Sequence, residues 1–248
     1  MALQYKTEGF VFKKEDIFEA DRIFSVFTKD FGRIEVLGKA IRKIASKLRG
    51  GMAMFDLSEI EFIQGKNKKT LTDAISIKKF SNITKNPEKL LLVVKISEIL
   101  DDFIKGQEKD EEIFNLIYDT LAKLNDYQLG IPKNQPIYHY FFWNFVSILG
   151  YGPELLKCAV CSQKLIPDSL YFSNKEGGVI CKSCLGFKSN QIPIKSDTVK
   201  VLRLILKKEW GILSRLKVNN INDSLKEICD SYCNYLLLIY SHKSQLDI

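Results

Sequence analysis

Four of the six cysteines lie in two Cys-x-x-Cys pairs, and their thiols are the side chains of this chain most able to do chemistry. The first pair is Cys158 and Cys161, the second is Cys181 and Cys184, and nineteen residues separate the two pairs. Disulfides, a redox couple, an iron–sulfur site and a zinc site all begin from such a pattern. The spacing is typical of four thiolates around one zinc ion, because each tight turn presents two sulfur atoms to the same metal.

The segment between the pairs predicts a zinc ribbon. Leu170–Ser173 and Val179–Ile180 have the composition of strands, and Gly177 and Gly178 supply the turn of a hairpin. A thioredoxin-like redox site needs one pair rather than two, whereas iron–sulfur ligation stays open although the hairpin favours zinc. Four thiolates leave no position for a water molecule, so we expect one structural zinc ion per chain rather than a catalytic one.

The other thiols and the apolar runs bear on where the protein works. Cys229 and Cys233 lie four residues apart on the apolar face of a predicted helix, and we expect them in a core. The first residues lack the pattern of a secretory signal, and the longest uncharged apolar run, Ile137–Tyr151, is too short to span a bilayer. We therefore expect a cytoplasmic protein without a membrane partner, whose thiols stay reduced.

A second stretch able to bind a ligand is the basic segment Gly38–Gly51. It carries five cations and no carboxylate, and its small residues let the backbone approach a ligand closely. The candidate DNA-binding residues are Lys39, Arg42, Lys43, Ser46, Lys47 and Arg49. This charge pattern is typical of a loop that follows phosphates, and an ordinary solvated surface is the alternative.

Positive charge is concentrated near the N-terminus. The formal net charge of the chain is +7. Residues 1–81 carry 16 basic and 11 acidic side chains, whereas residues 82–157 carry 8 and 11. This asymmetry predicts a polyanion as the partner of one part of the chain only.

The region that must position the basic segment has the pattern of a small β-barrel. Residues 1–81 contain five short runs rich in Ile, Val, Phe and Thr, with turns at Asp30–Gly32 and Gly65–Lys69. Five such strands suit a closed, five-stranded OB-fold barrel, because closure removes exposed sheet edges. The basic segment lies on the longest connection, residues 39–55. Aromatic residues able to stack on bases, unless they belong to the core, are Phe24, Phe27, Phe31 and Phe55.

Alternation along the fifth run predicts which side chains share a face. Neighbouring side chains of a strand point to opposite faces, so residues two apart point the same way. We expect Leu71, Ile75 and Ile77 to share one face, with Asp73 as the exception.

Beyond residue 81 the pattern becomes helical. Asn86-Pro87 and Asp110 begin two predicted helices, and the aromatic helix Gln135–Gly150 is expected at the centre of a bundle. Two more helices are predicted at Asp197–Glu209 and Ser224–His242. The predicted α+β organisation is an OB-fold domain at 1–81, the first part of a helical domain at 82–157, a zinc-ribbon insertion at 158–184 and the second part of the helical domain at 185–248.

The sequence contains no motif that indicates catalysis. His-Glu-x-x-His, Gly-x-x-x-x-Gly-Lys-Ser/Thr and Gly-x-Ser-x-Gly are all absent. The acidic clusters Asp101-Asp102 and Asp110–Glu112 lie at predicted helix ends, where we expect them to be solvated. We predict a DNA-binding protein rather than an enzyme. The alternatives are a zinc-stabilised adaptor with mainly protein partners and a metal-dependent nuclease or hydrolase.

Taken in order, these features resemble the RecO family of bacterial recombination mediators. In residues 5–43 an aromatic and Thr-Glu-Gly precede the first strand, Glu-Ala-Asp-Arg opens the second, and a small-plus-basic stretch follows the third. The junction Leu149–Leu155, running into Cys158–Cys161, is similar to the entry of that family into its zinc module. The resemblance covers the whole chain, and its two anchors lie far apart in the sequence.

The resemblance implies an OB-fold, a helical domain and a four-cysteine zinc element. It also implies binding of single- and double-stranded DNA, strand annealing, and cooperation with RecR to place RecA on DNA coated by single-strand-binding protein, at the bacterial nucleoid. The residues that it carries over are Cys158, Cys161, Cys181 and Cys184 as metal ligands, and Arg42, Ser46, Lys47 and Arg49 as a basic loop. Ile41 and Ile44 depart from the family pattern, in which basic or small residues are usual.

Overall fold

The computed structural model describes residues 3–126, 136–167, 169–186, 191–216 and 222–246, with side chains for all of these except 222 and 241–246. The chain divides into two compact units, Met1–Tyr127 and Gln128–Ile248. The strands are β1 (Gln4–Ile17), β2 (Asp21–Thr28), β3 (Gly32–Gly38), β4 (Leu57–Gln64), β5 (Lys69–Lys78), β6 (Leu170–Ser173), β7 (Gly178–Cys181) and β8 (Ile192–Ile194). The helices are α1 (Ser81–Thr84), α2 (Pro87–Phe103), α3 (Glu111–Asp126), α4 (Pro136–Ile148), α5 (Ser196–Leu206), α6 (Trp210–Leu213) and α7 (Asn222–Leu246).

The first five strands form a closed barrel in the order β1-β2-β3-β5-β4, with β4 returning to β1. Strand β3 pairs with β5 in parallel, and the other neighbours are antiparallel. The long β1 pairs with β4 through its first half and with β2 through its second, and a bulge between Val11 and Lys13 bends it between the two. This arrangement confirms the predicted OB-like barrel.

A second bulge corrects the predicted faces of β5. Glu61 pairs with Asp73 and Phe62 pairs with Leu71, so Thr72 is an extra residue on β5. The extra residue reverses the alternation beyond it, and Ile75 is 57% exposed while Leu71 is buried. The expectation that Leu71 shares a face with Ile75 and Ile77 is therefore wrong.

Helices α2 and α3 begin where the sequence predicted, whereas the short α1 was not predicted. The Asn86 side chain accepts hydrogen bonds from the backbone N–H groups of Glu88 at 2.9 Å and Lys89 at 3.1 Å, so Asn86 caps α2. Asp110 likewise accepts from the N–H of Ile113 at 2.9 Å at the start of α3. Asp101 near the end of α2 is not the solvated residue that was expected, because Lys13 and Arg33 of the barrel both donate to its carboxylate.

In the second unit, helix α4 is buried on nearly all sides, as its composition predicted. The first residue of that predicted helix, Gln135, lies outside the described residues. The Trp143 ring of α4 stacks on Tyr232 of α7 at 5.5 Å and meets Phe172 of β6 edge-on at 5.8 Å. Strands β7, β6 and β8 form a small sheet in that order. The boundaries of the four predicted segments stay a prediction.

Candidate nucleic-acid interface and metal centre

Residues 39–55 link β3 to β4 and form what we call the basic connection. Ile41 and Met52, at 2% and 5% exposure, pack into the barrel core, and Leu48 is partly buried against the same core. A short 3₁₀ turn, Lys47–Gly51, ends where Gly51 lies against the backbone of Ala74 on β5, too close for any Cβ. Apolar residues thus fix the basic connection to the barrel. Ile41 is one of these residues and belongs to the barrel core.

The predicted cations lie on the outer side of the basic connection. Lys39, Lys43, Lys47 and Arg49 are exposed, and Ser46 is half-buried, its backbone N–H donating to the Lys43 carbonyl at 3.1 Å. Among the residues that the structure describes, no carboxylate lies within 4.0 Å of any of these four cations. The assignment of these residues to DNA stays a prediction, but the structure does bring them together on one accessible segment.

Arg42 differs from the other four cations because it is held against the turn between β1 and β2. Its backbone N–H donates to the Ala20 carbonyl at 3.0 Å, and its Nη1 lies 3.5 Å from the Phe18 carbonyl oxygen. Its Nε lies 3.6 Å from Asp16 Oδ2, and Asp16 also accepts from Arg22 Nε at 2.5 Å. The Arg22 hydrogen bond holds the pKa of Asp16 below its usual range, so this carboxylate stays ionised between two guanidinium groups.

Three arginines surround a small pocket at this end of the barrel, which we call the arginine pocket. Its volume is about 140 Å³, and its lining residues are Arg22, Phe24, Ile41, Arg42, Arg49 and Met52. Guanidinium groups present several N–H donors in a planar fork that matches phosphate oxygens. The pocket therefore has the charge and donors to hold one phosphate group.

A second basic cluster lies on the turn between β4 and β5, which was predicted as a turn but not as a site. Lys66 and Lys68 are exposed there, and Lys69 donates to the Gln107 side chain at 3.3 Å. A pocket of about 450 Å³ beside this turn is lined by Lys68, Lys69, Lys105 and Arg33, among other residues. OB-folds bind oligonucleotides with this loop, the first hairpin turn and the face of strands two and three. The signal in the sequence was the run Gly-Lys-Asn-Lys-Lys.

The four phenylalanines suggested for base stacking are not open platforms. Phe24, Phe27 and Phe55 are buried, at 1%, 1% and 5% exposure. They belong to the core, which was the alternative to base stacking. Phe31 packs edge-on against Tyr5 at 5.5 Å. Three of the four rings are therefore core residues, and Phe31 is half-buried.

The four predicted metal ligands meet at one point in the second unit. The Sγ atoms of Cys158, Cys161, Cys181 and Cys184 all lie within 4.8 Å of one another. Cys161 Sγ and Cys181 Sγ are 3.8 Å apart, which matches the edge of about 3.8 Å that Zn–S bonds of about 2.3 Å give a tetrahedron. Four thiols in this geometry can hold a metal ion.

Backbone N–H groups beside the cysteines favour the thiolate form of Cys158, which is the form that binds a cation. The Cys181 N–H lies 3.4 Å from Cys158 Sγ, and the first pair is tightened by hydrogen bonds from Ser162 N–H to the Cys158 carbonyl and from Cys158 N–H to the Gln163 carbonyl, both at 2.9 Å. Burial raises the pKa of Cys158, but N–H donors outweigh it and lower that pKa to about 6. Hydrogen bonding to Cys161 raises the pKa of Cys184 to about 12, and a bound cation would favour its thiolate form.

The metal module is attached to the helices of its unit through aromatic packing and polar bonds. Phe172 of β6 is fully buried between Trp143 and Tyr232. The Asn174 side chain donates to Ser231 Oγ at 2.8 Å. A metal ion here would hold together a hairpin that has only four residues in each strand, which is a structural role.

Together, the barrel and the four-thiol cluster define an OB-fold protein with a helical region and a candidate structural metal site. Comparison with known families narrows this class: a model described as recombination protein O N terminal matches residues 1–80, and one described as recombination protein O C terminal matches residues 85–246. The chain belongs to the RecO family of DNA repair proteins.

Relatives from several bacteria carry the name DNA repair protein RecO. One from Dehalococcoides mccartyi (strain 195) is 34% identical over 215 residues, which cover 87% of this chain and 83% of that protein. One from Alkaliphilus metalliredigens is 28% identical, covering 92% and 91%. One from Desulforamulus reducens is 26% identical, covering 94% and 90%. Within the described residues, no helix has the length and apolar character needed to cross a membrane.

Proposed function

We propose that this chain binds single-stranded DNA along the basic connection and anneals complementary strands without catalysing a covalent step. The proposal rests on the two sides of the basic connection. Ile41 and Met52 lie in the barrel core, and the cations are exposed on the outer side. Cations on such a segment gain affinity for a phosphate backbone by releasing its counterions. The backbone that carries them is already fixed to the barrel, so it loses little conformational freedom on binding.

Annealing follows from the same charges. Two complementary strands repel each other through their phosphates, and cations at the barrel surface reduce that repulsion while the bases pair. The β4–β5 turn, with Lys66 and Lys68, supplies a second group of phosphate contacts on the same barrel. The paired product is double-stranded DNA, for which the same electrostatic contacts give affinity without reading sequence.

Membership of the RecO family supports the finer role. We propose that the protein acts with RecR to load RecA onto DNA that is coated by single-strand-binding protein, at the bacterial nucleoid. In this role the second unit contributes stability through one zinc ion held by the four clustered cysteines, and no bond of the DNA is made or broken.

The experiment is an annealing assay with two complementary labelled oligonucleotides and three proteins. These are the wild type, a variant with Lys39, Lys43 and Lys47 changed to Glu, and a control with the exposed Lys85, Lys175 and Lys207 changed to Glu. The two variants have the same net charge. We expect the first to slow annealing about tenfold or more and the control to stay within about twofold of the wild type.

Other outcomes separate the competing functions. A wild-type protein that leaves the spontaneous annealing rate unchanged would favour the adaptor alternative. Shortened oligonucleotides after incubation with Mg²⁺ or Mn²⁺ would favour a nuclease. Equal losses in both triple variants would show that net charge, and not the basic connection, drives annealing.

A further inference from the structure

The turn between β1 and β2 contains an aromatic residue that the fold does not explain. Phe18 is 85% exposed, so its ring contributes almost nothing to a core. Its φ angle is +53°, a left-handed conformation that favours Gly, Asn or Asp in turns and is strained for a bulky residue. A large apolar side chain at such a position both strains the backbone and loses the benefit of burial. Departures of this kind from local rules concentrate at functional sites.

Arg42 connects the turn that carries Phe18 to a group of three arginines. Arg42 is bonded to this turn through the carbonyl of Ala20 and approaches the carbonyl of Phe18 itself. The same Arg42 lines the arginine pocket with Arg22 and Arg49. The turn also carries carboxylates: Asp16 pairs with Arg22 and Arg42, Asp21 accepts from the Ala40 N–H at 2.7 Å, and Glu19 is exposed. Arg49 has no ion pair among the described residues. A phosphate in the pocket would therefore lie next to the turn that carries the exposed ring.

Phosphates and bases alternate along a single strand, so a phosphate held in the arginine pocket brings a neighbouring base within reach of the turn. We propose that Phe18 is a stacking platform for an unpaired base of the strand held by the basic connection. The inference rests on the proposed DNA binding and adds the contact that distinguishes unpaired bases from a bare phosphate backbone. Stacking on an aromatic ring accepts any base, because every base has a π-face.

The test compares two labelled oligonucleotides of equal length and charge, oligo-dT and an abasic chain that keeps the phosphates. Binding is measured by fluorescence anisotropy for the wild type, Phe18→Asn and Phe18→Tyr. Asn tolerates the left-handed backbone, so Phe18→Asn should fold with an unchanged or higher midpoint of thermal unfolding. Leu156→Asn is the control, because Leu156 is an exposed apolar residue of the second unit that has no ring.

We expect Phe18→Asn to weaken oligo-dT binding about tenfold and to leave abasic binding unchanged. Phe18→Tyr and Leu156→Asn should stay within about twofold of the wild type on both chains. Unchanged oligo-dT affinity in Phe18→Asn would overturn the inference and leave the ring as a surface for a protein partner. An equal loss on both chains, or an equal loss in Leu156→Asn, would also overturn it. If the wild type bound neither chain, the proposed DNA binding itself would fail.

Discussion

Arg33 of β3 and Asp101 of α2 form an ion pair whose Nη2 and Oδ1 atoms are 2.6 Å apart. Lys13 of β1 donates to the other carboxylate oxygen at 3.0 Å, and Arg33 also donates to the carbonyls of Asp101 and Ile104. Burial raises the pKa of Asp101, but the hydrogen bonds from Lys13 and Arg33 outweigh it and hold that pKa below its usual range. One carboxylate thus joins the second helix to two strands of the barrel.

Changing Asp101 to Asn should lower the free energy of unfolding by about 1.5–3 kcal/mol at pH 7, because hydrogen bonds to a charged group are lost. The folded pKa lies below the unfolded value of about 3.9, so this stability is present above that value and is lost as pH falls through the folded pKa. Urea unfolding at pH 7 and near pH 3 should show the difference between wild type and variant shrinking in acid. Asp102→Asn, at the exposed neighbour, is the control. A difference that stays constant with pH would contradict the ionic role of Asp101.

Gly51 tests how the basic connection is fixed to the barrel. A Cβ at Gly51 would overlap the backbone of Ala74, whereas one at Gly50 would meet nothing within 4 Å. We therefore expect Gly51→Ala to lower the free energy of unfolding by about 1–3 kcal/mol and to weaken single-strand binding, because the connection must shift. Gly50→Ala should change neither. Thermal unfolding and anisotropy would measure both effects, and equal behaviour of the two variants would argue against a fixed connection.

Metal content tests the cysteine cluster. Protein purified without chelator should carry about one equivalent of zinc per chain by elemental analysis, and a strong chelator should remove it with a fall in thermal stability. Cys161→Ser should abolish stoichiometric zinc, whereas Cys229→Ala, at a buried cysteine of α7, should keep it. Iron in place of zinc would contradict the zinc assignment, and zinc retained by Cys161→Ser would contradict the ligand set.

Much of the fold could be predicted because local patterns agreed with the tertiary structure. Two Cys-x-x-Cys pairs joined by a Gly-Gly hairpin indicate a candidate metal site by spacing alone, and Asn86-Pro87 begins a helix for reasons that are local in sequence. The bulge at Thr72 was not predictable in the same way, because it depends on the register of β5 against β4. Because of that single extra residue, Ile75 does not lie on the face that it was expected to share with Leu71, and it is exposed.

The candidate site was predicted only in part, for a related reason. Charge density along Gly38–Gly51 is visible in the sequence, but the pairing of Arg42 with Asp16 depends on how the β1–β2 turn folds back. Ile41 looked like a departure from a basic loop and is in fact a residue of the barrel core. The sequence did not indicate Phe18 as a binding residue, because no sequence pattern reports its exposure or its backbone angle.

The salt dependence of single-strand affinity measures how many phosphates the basic connection contacts. The four or five phosphates that it neutralises should contribute about −3 to the log–log slope of affinity against salt, and the β4–β5 turn adds to that slope. Changing Lys39, Lys43 and Lys47 to Gln should make the slope shallower by about 2, while the same change at Lys85, Lys175 and Lys207 should leave it unchanged. A slope that is unchanged in the first variant would contradict the claim that the basic connection holds the DNA backbone.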